Sequence, residues 1–107
     1  MIKLHTESNA VVMLPGLTRR TLVASQVLMI CEFTFDQGVR IPLHNHPHEQ
    51  VGYVVKGCVE MTISGCTETL RTGDSYCAPS NVPHSAVTLE PTIIIDTFSP
   101  PREDYIE

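Results

Sequence analysis

The stretch Gly38–Gly57, GVRIPLHNHPHEQVGYVVKG, places three histidines, a glutamate and a glutamine within seven residues, between apolar and β-prone segments. Successive strand residues point to opposite faces, so His44 and His46 should share one face. Strand parity would add His48 and Gln50 to this face. Pro47, however, precedes both and interrupts the strand, so parity alone does not choose between them as ligands. Imidazoles facing an interior must be hydrogen-bonded or must bind an ion. The stretch therefore predicts a metal site.

A second segment, residues 73–84, supplies one more histidine. Its sequence, GDSYCAPSNVPH, gives a glycine turn, a short strand and a proline-rich loop before His84 opens the next strand. Pro79 and Pro83 stiffen this approach and fix the position of His84. Imidazole suits zinc, iron, nickel and, less selectively, manganese. We expect one divalent transition-metal ion, Ni, Zn, Mn or Fe, with His84 among its ligands.

Length and turn spacing predict a single all-β domain. A chain of 107 residues can form one hydrophobic core but not two. Turns rich in Gly, Pro, Asn and Asp separate eight to ten short β-prone segments, which is typical of a sandwich or small barrel. We expect residues 1–16 to form a lead-in strand, residues 17–99 the barrel, and residues 100–107 a tail near the barrel mouth.

Several local features can be predicted from turn chemistry. Gln26–Phe35 is more uniformly apolar than the segment before it and is predicted as one strand, ending at a turn over residues 36–38. Ser64–Gly65 is expected to close a hairpin. Pro42 lies inside a predicted strand, which implies an edge position or a bulge because proline cannot donate to a sheet.

Charge and composition exclude several classes of function. The net charge of −5 argues against binding to nucleic acid phosphates. No apolar run reaches the ~18 residues of a membrane span. Residues 1–16 lack the apolar core of a secretory signal, so we expect a cytoplasmic protein. No cysteines form a CxxC pair, and we expect four reduced, small apolar residues at Cys31, Cys58, Cys66 and Cys77.

Taken together, the two segments resemble the cupin superfamily. The first cupin motif, G-x5-H-x-H-x3-E-x6-G, is matched by Gly38, His44, His46, Gln50 and Gly57, with Gln in place of Glu. The second motif, G-x5-P-x-G-x2-H-x3-N, is matched by Gly73, Pro79, Asn81, His84 and Thr88, with Asn in place of Gly and Thr in place of Asn. The resemblance implies a jelly-roll barrel, also called a double-stranded β-helix. It also implies a metal held by His44, His46, Gln50 and His84.

From about Leu17 to its end, the chain looks like the small single-domain cupins of the KdgF family. That family has Gln at the fourth ligand position and an Asp-x-Phe-x3-Arg pattern near the C-terminus, here Asp96, Phe98 and Arg102. Its members convert 4,5-unsaturated monouronates from pectin or alginate to the linear 4-deoxy-5-keto form. The resemblance therefore implies a metal-dependent isomerase or tautomerase whose partner is a small anionic sugar acid.

The residue chemistry is compatible with that reaction. Asp96 follows an isoleucine run, so its pKa should be raised, and it is a candidate acid–base; the alternative is a structural carboxylate. Arg102 can clamp a uronate carboxylate in bidentate fashion, the alternative being a solvated tail charge. Phe98 can offer its ring face to the sugar or belong to the core. Tyr76 is an alternating strand residue that either lines the cavity or packs in the core.

The remaining polar residues are expected to be less important. His48 should lie near the site or at the surface rather than bind the metal. Tyr53 is expected in the core. The three arginines expected at the surface are Arg19, Arg20 and Arg40.

Two further functions and an oligomeric state complete the predictions. The histidine cluster also permits a cupin dioxygenase using iron, copper or nickel, and isolated cupin barrels can serve as non-catalytic sugar-acid binding modules. Cupin barrels commonly pair through their sheets, so we expect a homodimer, with the lead-in strand around Val11–Leu14 crossing to a partner.

Overall fold

A computed structural model describes all 107 residues and contains ten β-strands with two single-turn 3-10 helices. The strands are β1 Ala10–Leu14, β2 Leu17–Ala24, β3 Met29–Phe35, β4 Arg40–His44, β5 Glu49–Lys56, β6 Cys58–Ile63, β7 Cys66–Arg71, β8 Ser75–Ala78, β9 His84–Thr88 and β10 Thr92–Ser99. The helical turns span His5–Glu7 and Glu103–Tyr105. No helix in the chain has the length and hydropathy needed to span a membrane.

The strands form two antiparallel sheets. One has six strands in the order β1-β2-β3-β10-β5-β8, and the other has four in the order β4-β9-β6-β7. From β3 onward the chain crosses repeatedly between the two sheets, which is the connectivity of a jelly roll. The predicted all-β jelly-roll fold is confirmed.

Strand β10 shows how the sequence divides between core and surface. Its alternate residues Thr92, Ile94, Asp96 and Phe98 are buried, while the residues between them are half-buried on the outer face. Alternation of this kind places every second side chain between the two sheets. The apolar members join a core cluster with residues from both sheets: Leu17, Met29, Cys31, Phe33, Phe35, Val39, Val54 and Val59.

Register places the predicted site residues at one end of this core. Phe98 of β10 pairs with Gln50 of β5, and Asp96 pairs with Gly52 two residues along. In the opposite sheet, His44 of β4 pairs with His84 of β9. Phe98 meets His46 across the core, with ring centroids 6.1 Å apart. Residues from four strands therefore converge in one layer.

Local predictions can be compared with the strands. The Ser64–Gly65 hairpin is confirmed, because β6 and β7 pair directly across it. Pro42 lies on an edge strand whose register shifts between Ile41 and His44, as its missing N–H requires. The predicted strand Gln26–Phe35 starts too early. The Ser25 hydroxyl accepts hydrogen bonds from the amides of residues 27 and 28, which makes a turn before the strand begins.

The lead-in strand β1 pairs with β2 of its own chain, and its crossing to a partner stays a prediction. Two other expectations need correction. Tyr53 is not in the core: it points outward from β5 and is 49% exposed. Of the four cysteines, which are all free, only Cys31 and Cys58 are buried, because Cys66 and Cys77 occupy outward positions of their strands.

Gly52 allows β5 to pass close to its neighbours. A Cβ at this position would overlap the ring of Tyr76 and the carboxylate of Asp96. We therefore expect Gly52→Ala to reduce the free energy of unfolding by about 2 kcal/mol, the cost of overpacking a core. Urea denaturation would measure this change. Thr69→Ala, at an exposed position of β7, is the control and should have a much smaller effect; equal effects in both variants would contradict the packing argument.

Candidate metal centre and its cavity

A cavity of about 290 Å³ opens between the two sheets at the layer described above. Most of its wall is apolar, including Phe33, Ile94 and Met61. Six polar or charged residues that the sequence predicted for the site line this cavity: His44, Gln50, Tyr76, His84, Asp96 and Arg102. Phe98 also lines the cavity, and His46 is buried beside it. The fold thus brings together every residue that the sequence predicted for the site.

The three histidines share one mode of attachment. Their Nδ1 atoms each lie 2.9 Å from a backbone carbonyl oxygen, that of Pro42, His48 or Val82. A carbonyl only accepts, so each Nδ1–H is the donor and each Nε2 carries a lone pair. One ring nitrogen from each of His44, His46 and His84 lies within 4.8 Å of the other two. Such second hydrogen bonds fix the tautomer and ring orientation of metal-binding histidines.

The lone pairs of these rings lack protein donors. Nε2 of His84 is buried without a hydrogen-bond partner. Nε2 of His46 lies 3.1 Å from Oε1 of Gln50, so two acceptors face each other. Burial is the main cause that lowers the pKa of both His46 and His84, which favours neutral rings. A cation between these atoms would satisfy all of them, so the donor set fits a metal ion.

Asp96 determines the orientation of Gln50. The Gln50 side-chain amide donates from Nε2 to Oδ2 of Asp96 at 2.9 Å, which leaves its oxygen directed at His46. The Tyr76 hydroxyl donates to the other carboxylate oxygen, Oδ1. Burial raises the pKa of Asp96 to about 7, although the hydrogen bonds from Tyr76 and Gln50 and the charge of Arg102 oppose this. The same carboxylate helps burial to raise the pKa of Tyr76 well above its usual value.

The C-terminal tail forms one wall of the cavity. Arg102 follows the last strand, and its Cζ lies 5.4 Å from the ring centroid of Phe98 and 4.0 Å from that of Tyr105. Its guanidinium pairs with Asp104 at 3.1 Å. The Phe98 ring is almost fully buried and also packs edge-on against Tyr105. Arg102 therefore reaches the cavity as a held side chain rather than as a solvated tail charge.

Tyr105 and Arg19 lie near the site but were not predicted for it, whereas His48 was expected near the site or at the surface. Tyr105 lines the cavity, and Arg19 lies over its ring. Arg19 was expected at the surface but is 5% exposed, because it faces inward from β2 beneath the tail. His48 is buried and its Nε2 lies 3.5 Å from Glu103. The alternation of buried and half-buried residues along β2 could have predicted that Arg19 faces inward. No feature of the sequence could have predicted the contacts of the tail.

Comparisons with known proteins agree with this architecture. Residues 31–98 match the Cupin_2 family, described as a cupin domain. The chain is 39% identical over 93 residues to the pectin degradation protein KdgF of Dickeya dadantii (strain 3937), covering 85% of this chain and 84% of that protein. It is 28% identical over 92 residues to the H2HPP isomerase of Bacillus subtilis, covering 84% of this chain but only 39% of that longer protein.

A solved structure of KdgF from Halomonas sp. superposes with a TM-score of 0.94. The sequences are 35% identical, and the match covers 99% of this chain and 98% of the other. Both the sequence likeness and the structural likeness extend over nearly the whole chain, well beyond the two histidine motifs. The chain is therefore a cupin and belongs to the KdgF family.

Proposed function

We propose that this protein is a metal-dependent isomerase that converts 4,5-unsaturated monouronates into linear 4-deoxy-5-keto uronates. The observation that supports this most directly is the side chain of Gln50, which joins the histidine cluster to a buried carboxyl group, Asp96. In this arrangement the carboxyl group proposed to transfer protons lies beside the amide proposed to bind the metal. Similarity to the pectin degradation protein KdgF supports a substrate derived from pectin.

His44, His46, His84 and the amide oxygen of Gln50 would hold the ion. Once bound, a divalent ion with neutral ligands supplies Lewis-acid polarisation of a substrate oxygen. The native ion is proposed to be Ni, Zn, Mn or Fe, all of which imidazole binds. The four side chains are held in place before binding, the rings by backbone carbonyls and the amide by Asp96.

Asp96 is proposed to move the protons. Deprotonation of the anomeric hydroxyl lets the C1–ring oxygen bond break, which gives an aldehyde at C1 and an enolate at C5. The enolate then receives at C4 the proton taken from the anomeric hydroxyl and becomes the ketone, so the overall reaction is an isomerisation without redox change. A carboxyl group whose pKa is about 7 can both accept and return a proton near neutral pH. Tyr76 and Gln50 donate to its two oxygens and keep the group oriented.

Arg102 and Phe98 are proposed to position the substrate. The guanidinium of Arg102 lines the cavity and can bind the uronate carboxylate through two parallel hydrogen bonds. Phe98 lies under the same cavity and can contact the sugar ring, although most of its surface is already packed in the core. Both side chains hold a small acid without taking part in proton transfer.

The reaction can be followed through the ultraviolet absorbance of the substrate double bond. Metal-loaded protein mixed with a 4,5-unsaturated galacturonate should accelerate loss of that absorbance over buffer. Asp96→Asn should lower kcat by about 100-fold or more, since general acid–base catalysis typically contributes that much. Asp36→Asn, at an exposed position on the turn after β3, is the control. Absence of any acceleration by the wild-type protein would overturn the proposal.

Metal binding can be tested without activity. Calorimetric titration of metal-stripped protein with zinc or nickel chloride should show one ion per chain. His84→Ala should weaken binding by about 100-fold or more, because it removes a ligand and not only an outer partner. His5→Ala is the matched control, since His5 is exposed and pairs with Glu32 far from the cavity. Equal affinities for the two variants would show that the ion binds elsewhere.

We also propose that two chains pair through the outer face of the six-stranded sheet. Val51, Tyr53 and Val55 alternate along β5 with 46%, 49% and 41% of their surfaces exposed. An apolar row in the interior of a sheet is unusual on the surface of a monomer. A cytoplasmic location also stays a prediction.

Sedimentation should therefore give twice the 11.9 kDa mass of one chain. Val51→Lys should shift the protein toward monomers, since pairing would bury an unpaired charge. Val27→Lys, in the exposed loop between β2 and β3, should leave the mass unchanged. A wild-type protein that sediments only as single chains would contradict the pairing.

A further inference from the structure

Tyr105, which the proposed reaction does not use, lies at the centre of a cluster of charged and aromatic side chains. Two guanidinium groups lie over its ring: Cζ of Arg102 is 4.0 Å from the ring centroid and Cζ of Arg19 is 4.5 Å from it. The negative face of an aromatic ring attracts such cations, most strongly where water is excluded. Tyr105 is therefore placed to hold Arg102, which lines the cavity.

The ring of Tyr105 is itself fixed to the six-stranded sheet. The Thr21 hydroxyl on β2 donates to the Tyr105 carbonyl oxygen at 2.7 Å. The rings of Phe33 and Phe98 pack edge-on against Tyr105, with centroids 6.1 and 5.8 Å away. A backbone hydrogen bond and two aromatic contacts thus tie a single helical turn of the tail to three strands. The position of Tyr105 is set by the sheet and not by the tail alone.

The guanidinium of Arg102 is held by two aromatic rings and along one edge. Its Cζ lies over the rings of Tyr105 and Phe98, and the Asp104 carboxylate accepts from Nε and Nη2 at 3.4 and 3.1 Å. Nη1 makes no hydrogen bond within the chain, so the second edge of the fork stays open. A guanidinium has two edges that can each bind a carboxylate through parallel N–H groups. Asp104 and a ligand carboxylate can therefore bind Arg102 at the same time.

Arg19 places a buried positive charge on the same ring. It is 5% exposed, and its Nε has no hydrogen-bond partner. Its nearest carboxylate is that of Glu107, the last residue of the chain, at 3.7 Å from Nη2. A buried cation with so few partners requires compensation, and the Tyr105 ring supplies part of it. Arg19 in turn holds the ring from the side of β2.

We propose that Tyr105, supported by Arg19, is a positioning residue that aims the open edge of Arg102 at the carboxylate of the bound acid. This inference rests on the proposed function only in taking Arg102 as the carboxylate-binding group. It makes the last six residues of the chain part of the binding site. It also gives Arg19 an indirect role in binding the acid, although Arg19 faces the tail from β2 and does not line the cavity.

A double-mutant cycle on kcat/KM for the unsaturated galacturonate tests this coupling. Tyr105→Leu should lower kcat/KM by about tenfold, the size of a desolvated cation–π contact, mostly through KM. Tyr105→Phe keeps the ring and should restore most of the wild-type value. In an Arg102→Ala background, Tyr105→Leu should have little further effect, because the group that it positions is gone. The exposed Arg40→Ala is the control background, in which the tenfold loss should persist.

A second measurement does not need turnover. In nitrogen–proton NMR spectra, the Nε–H signal of Arg102, assigned from its absence in Arg102→Lys, should be sharp and shifted by the neighbouring rings. Tyr105→Leu should move it to the position of a mobile arginine, and Tyr105→Phe should not.

The outcomes separate this inference from the proposed reaction. If Tyr105→Leu reduces kcat/KM equally with and without Arg102, Tyr105 has only a structural role and the inference is wrong. If the wild-type protein turns over no uronate, the NMR spectra alone test whether Tyr105 positions Arg102. The positioning role would be supported if the Arg102 Nε–H signal is sharp and shifted in the wild type and in Tyr105→Phe but moves to the position of a mobile arginine in Tyr105→Leu. The same signal in all three proteins would overturn it.

Discussion

The pairing of β10 with β3 on one side and β5 on the other is the constraint on which the site depends. It aligns Phe98 with Gln50 and Asp96 with Gly52, so that the four residues point into the same interior layer. A slip of one residue would turn Asp96 and Phe98 to the outer face and bring their neighbours inward. The close passage of β5 at Gly52 then leaves room for the Tyr76 ring and the Asp96 carboxylate together.

Electrostatics explains why an amide suits position 50. The Gln50 side chain donates to a buried carboxylate with one end and presents an acceptor to His46 with the other. A glutamate there would bring two carboxylates together, and one of them would have to keep a proton. It would also cancel half the charge of a divalent ion. The amide therefore satisfies Asp96 and would leave the full charge of the proposed ion available for an anionic ligand.

The tail connects the two ends of the chain to this layer. Its residues contact β2 through Thr21 and Arg19, the His44–Gln50 region through the approach of Glu103 to His48, and the N-terminal segment through Asn9 and Glu107. These contacts are individually modest, and several are exposed to solvent. Together they place Arg102 over the cavity in one orientation, which a free tail could not do.

The sequence by itself determined the class of fold and the histidine cluster, because both depend on local rules. Strand alternation and turn residues are properties of short segments, and these predicted an all-β sandwich or small barrel. The resemblance of the two histidine motifs to those of cupins implied the jelly roll and the convergence of His44, His46 and His84. Tertiary structure alone decided that Arg19 is buried, that Tyr105 lies between it and Arg102, and which way the Gln50 amide points. Those features join residues that are far apart in the sequence; Thr21 and Tyr105, for example, are 84 positions apart. Their contacts depend on how the two sheets curve and where the tail packs, and no short stretch of sequence encodes either.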